Sequence, residues 1–354
     1  VIRVGFFGAV VALLLAGCAP KQIELSKEPF PVRLSTWEAL EETHHDMYAF
    51  FEAFARSCDK LEVLKPYCGI TTLAELKAQF VPVKIIEEGR MTGYYEPTLH
   101  GSKTRSARYH YPIYGLPEDL VRIDLGAAYP ELASYRLRGL VEGKRVVPYP
   151  DHATIHERGL DAPILCYVDS RVDAFFLHIQ GSGKVLLEEG GVLNVGYADQ
   201  NGHPYRAIGR YMKEKGYLEA VSMQTIRAFL EQHPDKMDEI LHVNPSYIFF
   251  DAKAQGATGA LGVELVAHGS VAVDRTYIPL GMPLFIKTTH PKINPWVVAQ
   301  DVGGAIRGAA RVDYFFGPGE EAAADAGTLY APIELFLLLP TTVAAQWAIT
   351  QNSP

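Results

Sequence analysis

The spacing of apolar positions changes character twice along the chain. From Ser35 to Cys58, Trp37, Leu40, His44, Met47, Phe51 and Phe54 recur at steps of three and four, which predicts one helix with a single buried face behind a Ser35–Glu38 capping pattern. Thr72 and Glu75 repeat that capping pattern ahead of Leu73, Leu76 and Phe80, and Pro82 predicts where this second, short helix stops. From Val83 the run turns strand-like. The middle of the chain, residues 101–243, mixes short β-like runs such as 174–179 with a helix over 222–232 that ends before Pro234. After Asn244-Pro245, residues 247–250, 271–273, 284–287, 296–299 and 312–316 read as strands between Gly and Pro turns, a spacing that suggests a closed barrel. Residues 333–339 read as a last apolar strand or helix.

The extreme N-terminus follows a different pattern. Arg3 precedes an apolar run over 4–15, about 12 residues against the roughly 20 needed to span a bilayer, so it reads as a removable export signal and not an anchor. Leu15-Ala16-Gly17-Cys18 resembles a bacterial lipobox, in which Cys18 is acylated and becomes the new N-terminus. The residue after Cys18 is not Asp, which favours an outer-membrane lipoprotein facing the periplasm. Residues 18–34 lack an apolar period and read as a tether.

Composition narrows the classes. Hydrophobic residues make up 48% of the 354, enough for a core and against extended disorder. Lys and Arg number 33 against 41 Asp and Glu, for a net charge of −8 with no basic cluster, which argues against nucleic acid as a partner. An exported location is oxidising and permits a bridge between Cys58 and Cys68, whereas Cys166 sits in an apolar run as a small hydrophobe. His152 and His156 share a helical face, but neither HExxH nor paired CxxC motifs occur, and Gly303-Gly304 with Gly308 does not have dinucleotide spacing. No metal and no cofactor are expected.

Three aspartates carry the candidate chemistry. Asp274 follows an apolar strand, Asp301 closes another before Gly303-Gly304, and Asp313 interrupts Arg311-Val312-Asp313-Tyr314-Phe315-Phe316-Gly317. A carboxyl group desolvated by such neighbours keeps its proton toward neutral pH, as a general acid must. Asp residues also cap turns beside strand ends. Spacing alone leaves both readings open.

The segments 260–265, 273–281, 300–308 and 311–317 resemble the three-aspartate ("3D") domain. With Met91-Thr92-Gly93-Tyr94-Tyr95-Glu96-Pro97, the run 176–183 and the run 244–250, they resemble the membrane-bound lytic murein transglycosylase A (MltA) family from about Glu88 to Gly327. The resemblance implies a mainly β protein with some α: a double-psi β-barrel domain from 35–100 and 246–339 with a helical N-terminal part, a smaller inserted β domain at 101–245, and a substrate groove between them. Residues 340–354 are then a tail. It implies peptidoglycan glycan strands as substrate, cut at the β-1,4 bond between N-acetylmuramic acid and N-acetylglucosamine to leave 1,6-anhydro ends. Other murein-synthesis or murein-degrading proteins enter as partners. By position Asp313 matches the catalytic acid, Asp301 its helper, and Asp274 the first aspartate, taken with Tyr94, Tyr95, Glu96, Gln180 and Ser182 as substrate-binding. A β-glycan hydrolase on the same barrel and a non-catalytic peptidoglycan-binding lipoprotein are the alternatives.

Overall fold

A computed structural model describes residues 31–40, 46–132 and 135–344. The export signal, Cys18 and most of the tether lie outside the described residues. Six strands close on themselves in the order Gly89–Glu96, Tyr330–Pro340, Pro283–Lys287, Trp296–Asp301, Ser270–Val273 and Arg311–Pro318. Two of the neighbouring pairs are parallel, Ser270–Val273 with Trp296–Asp301 and Arg311–Pro318 with Gly89–Glu96, and the protein is mainly β around this barrel, as expected. Alternation fills its interior: Met91, Val271, Val273, Val297, Ala299, Val312, Tyr314 and Phe316 point inward, so their neighbours in sequence face out.

One part of the outer barrel surface is covered by N-terminal helices. The helix Tyr48–Ser57 buries Phe50, Ala53, Phe54 and Ser57, and Phe50 and Phe54 pack against Trp296, Val298 and Phe336 of the barrel. The single helix expected from Ser35 is therefore broken: Trp37–Leu40 is a separate 3-10 turn, and the buried face is set by Phe50 and Phe54 rather than Phe51. A Cys58–Cys68 disulfide staples the end of this layer. The Thr72–Glu75 capping box forms in full, but Pro82 lies within the strand Phe80–Ile85. The tether is also shorter than expected, because Val32–Leu34 pairs with that strand and Val32 packs on the core.

A second, six-stranded sheet is built from Thr98–Ser102, Tyr111–Tyr114, Ile164–Val168, Ser182–Leu187, Val192–Gln200 and Ile248–Lys253. It takes in residues on both sides of 101–245, and the run near 247–250 pairs here and not in the barrel. Residues 174–179, expected as β-like, belong to the helix Arg171–Gln180. The Ser170 hydroxyl accepts the Asp173 N–H at its start, and Gly181, in the left-handed region at φ 77°, ends it. Its apolar residues have no polar alternation because Ala174 and Leu177 pack on the sheet while Val172, Phe175 and Phe176 pack on other helices.

Candidate active site

Asp313 and Asp301 come together through the short strand Ser270–Val273. Ala272 pairs with Asp301 on one side and with Asp313 on the other. Two inter-strand spacings put the two backbone positions roughly 10 Å apart. The register slips between Val271 and Ala272, skipping Gln300. Without that bulge the alternation that sends Val297 and Ala299 inward would send Asp301 inward too; with it, Asp301 emerges on the outer face shared by Ala272 and Asp313.

The same period of two brings Thr92 and Tyr94 to this face. Thr92 pairs in register with Asp313, and Tyr94 with Phe315, against whose ring it packs at 5.1 Å. Tyr94, Ala257, Leu265, Ala272, Ile306 and Phe315 form a small apolar floor separate from the barrel core. Above it both carboxylates are half-buried.

Their hydrogen bonding differs. Asp301 Oδ1 accepts the N–H groups of Ala260 (2.9 Å) and Val302 (2.8 Å), and Oδ2 accepts the Tyr94 hydroxyl at 3.3 Å. Asp313 Oδ1 accepts the Thr92 hydroxyl, and the Thr92 oxygen accepts in turn from Arg311 Nη2 at 2.7 Å. With one lone pair so engaged, Thr92 is held as a donor toward Asp313. Among the described residues no donor reaches Asp313 Oδ2.

Electrostatics keep both groups above the ordinary carboxylate range. Desolvation raises Asp313, opposed by the Thr92 hydrogen bond and the Arg311 charge. Desolvation also lifts Asp301, to about 6, against its two backbone donors and Tyr94, and the neighbouring Asp313 adds to the rise. Burial thus favours the protonated form of both groups, and the unengaged oxygen belongs to Asp313.

The remaining expected residues are spread around this pair. Asp274 is buried and accepts the N–H groups of Thr276 and Gly308, both at 3.0 Å, so it fastens the loop between Asp301 and Arg311. Tyr95 turns its ring into the barrel core, and its N–H donates to Gln180 Oε1 at 3.1 Å. Glu96 is buried where the chain leaves the barrel for the second sheet, paired with Lys184 at 3.0 Å and with Oε1 unpartnered. Ser182 is buried at the start of its strand. Next to it Gly183 has no room for a side chain, since a Cβ would lie 2.6 Å from Leu177 Cδ1 and 3.0 Å from the Pro97 carbonyl oxygen. Tyr95 through Gln180 and Glu96 through Lys184 therefore tie the barrel to the second domain, Ser182 pairs within the second sheet, and of the residues expected to bind substrate only Tyr94 touches the aspartate pair. Sequence reasoning missed Thr92 and Arg311; Thr92 stands two residues before Tyr94, which on a strand means the same face.

Comparison with known proteins adds to this geometry. Residues 90–251 match the MltA specific insert domain and residues 269–339 match the 3D domain. Membrane-bound lytic murein transglycosylase A of Escherichia coli K12 is 35% identical over 253 residues, which is 67% of this chain and 62% of that protein, so the chain spans less than two thirds of that curated relative. The crystal structure of MltA from Neisseria gonorrhoeae has 34% identity and a TM-score of 0.75, covering 89% of this chain and 93% of that one. E. coli MltA with bound chitohexaose has 26% identity and a TM-score of 0.67, covering 90% and 97%. With its aspartate pair on the outer face of a six-stranded barrel and both domains matched in order, the chain belongs to the MltA family.

Proposed function

We propose that this protein is a lytic transglycosylase of peptidoglycan, cleaving the β-1,4 bond between N-acetylmuramic acid and N-acetylglucosamine with Asp313 as sole acid and base. The observation that carries this reading is the asymmetry of the two carboxylates: Asp313 keeps one oxygen free of donors, whereas both Asp301 oxygens are engaged. Asp313 gives its proton to the departing glycosidic oxygen as the bond from the muramoyl C1 breaks. The C6 hydroxyl of the same sugar attacks C1, and the carboxylate takes the hydroxyl proton, so no water is consumed and the product ends in a 1,6-anhydro ring. Intramolecular attack supplies the nucleophile at high effective concentration.

Asp301 and the Tyr94 hydroxyl face the centre where positive charge develops, and an ionised Asp301 would stabilise it. Hydrolysis by inversion requires a carboxylate free to activate water some 6.5–9.5 Å from the acid. Asp301 accepts two backbone N–H groups on Oδ1 and the Tyr94 hydroxyl on Oδ2, which makes it a weaker base toward water and favours the transglycosylase. The relative crystallised with bound chitohexaose, a polymer of β-linked amino sugars, agrees with a glycan ligand here.

Mass spectrometry of fragments released from murein sacculi tests the reading. Anhydro ends, lighter by one water than reducing ends, are expected; hydrated ends would make the protein a hydrolase, and binding without release would make it a non-catalytic binding lipoprotein. The lipobox supports acylation at Cys18 and an outer-membrane position, which would hold the enzyme close to its murein substrate and to other murein-acting proteins. Labelled fatty acid incorporated by the wild type and not by Cys18→Ser is the expected result.

A further inference from the structure

The helices beside the second sheet hold a group of side chains that the proposed reaction does not use. His152 and His156 lie one turn apart on the helix His152–Arg158; Asp238 lies on the helix Met237–Leu241, and His242 caps it one turn later. Residues four apart share a helix face, the spacing with which two side chains chelate one ion. The two pairs meet: the His156 and His242 rings are 5.3 Å apart and the His152 and His242 rings 5.8 Å. Ligating atoms of His156, Asp238 and His242 lie within 4.8 Å of one another.

The guanidinium of Arg171 occupies the point where they converge. Its Nη2 stands 3.3 Å from His156 Nδ1 and 3.1 Å from His242 Nε2, and its Nη1 bonds Asp238 Oδ1. A guanidinium can only donate, so both ring nitrogens offer it lone pairs. The fit is incomplete, because Arg171 Nε is buried without a partner. Arg171 is also the first residue of its helix, where the positive end of the helix dipole disfavours a cation.

We propose that His156, His242 and Asp238 form a site for a divalent transition-metal ion of the zinc class, with Arg171 as a built-in competitor at its centre. Two imidazoles and a carboxylate are a donor set that zinc takes, with a fourth position left for water. Bonds of about 2.0–2.1 Å require the rings to close on the ion and the Arg171 side chain, 12% exposed, to leave the centre. Asp238, with 67% of its side chain exposed, is free to follow. A bound ion would tie the helix His152–Arg158 to the helix Met237–Leu241. The sequence discloses only the first pair, since the second lies far along the chain and no HExxH joins them.

The test uses the full chain, with Zn2+ in equilibrium dialysis and Co2+ as a visible-absorption probe. One ion per chain is expected, bound about tenfold more tightly or better by Arg171→Gln than by the wild type. His156→Gln in the Arg171→Gln background should weaken binding about tenfold or more and abolish the tetrahedral Co2+ bands. His156 is exposed, and near-UV circular dichroism verifies that each variant is folded. Failure of Arg171→Gln to bind Zn2+ more tightly than the wild type, or binding unaffected by loss of His156, would overturn the proposal.

Discussion

Gln300 and Asp301 are neighbours on one strand and meet opposite conditions. Gln300 is fully buried under the helix Tyr48–Ser57, where its amide donates to the Ala53 carbonyl (2.9 Å) and Ser57 Oγ (2.6 Å) and accepts the Ser270 hydroxyl. Asp301, one residue on, stands half-open on the uncovered face and holds its proton up to about 6. Where the helical layer closes the barrel, every polar contact of Gln300 serves packing. Where that layer stops, the barrel keeps carboxylates in an environment that disfavours their charge. A fold selected only for stability would not retain such a pair, so the open face is where stability gives way to chemistry.

The largest effect on stability should come from the covered side. Gln300→Leu removes three buried hydrogen bonds and leaves the Ser270 hydroxyl without its acceptor, for an expected loss of about 2–4 kcal/mol in urea unfolding. A loss below about 0.5 kcal/mol would erase the contrast between the two neighbours.

Asp301→Asn should act in the other direction. The carboxyl has its pKa raised from the ordinary 3.8 to about 6 in the folded state, so the folded state binds the proton more tightly than the unfolded chain. The penalty for ionisation is therefore complete above pH 6, shrinks between 6 and 3.8, and is absent below. Asp301→Asn is expected to stabilise by about 1–2 kcal/mol at pH 7, allowing for the half-open face, and to lose that gain by pH 4. Thermal melts at the two pH values check it; a gain independent of pH would contradict the assignment of the raised pKa.

Tyr94→Phe should have the smallest effect. It removes one 3.3 Å hydrogen bond while the ring stays packed on Phe315, for an expected loss of about 0.5–1 kcal/mol. It should also raise the Asp301 pKa further, readable by carboxyl NMR titration, because a donor to the ionised form is gone.

The sequence disclosed these regions unequally. The barrel strands after Ser270 were legible as short apolar runs between Gly and Pro turns, because most are buried on both sides, one facing the barrel interior and the other covered by neighbouring layers. The helix Arg171–Gln180 was not, since burial on both sides erased the polar face that marks a helix. Asp313 stood out as a charge among aromatic residues. Which way Asp301 points depends on one skipped residue in a parallel pair, and no period within its own strand reveals a bulge defined by its neighbour. Thr92 lay unremarked in a recognisable motif because its role appears only when Arg311–Pro318 pairs beside it. Asp274 stands with the aspartates in sequence, yet its carboxylate bonds the backbone of two loops, a role that spacing cannot separate from catalysis.

Sacculus digestion by Asp313→Asn measures the central claim most directly. The substitution keeps size and one acceptor oxygen and removes the transferable proton. Release of anhydro fragments is expected to fall by about 10²-fold or more while sacculus binding stays at the wild-type level. Near wild-type release from Asp313→Asn, with Asp301→Asn inactive, would move the acid to Asp301 and contradict the account.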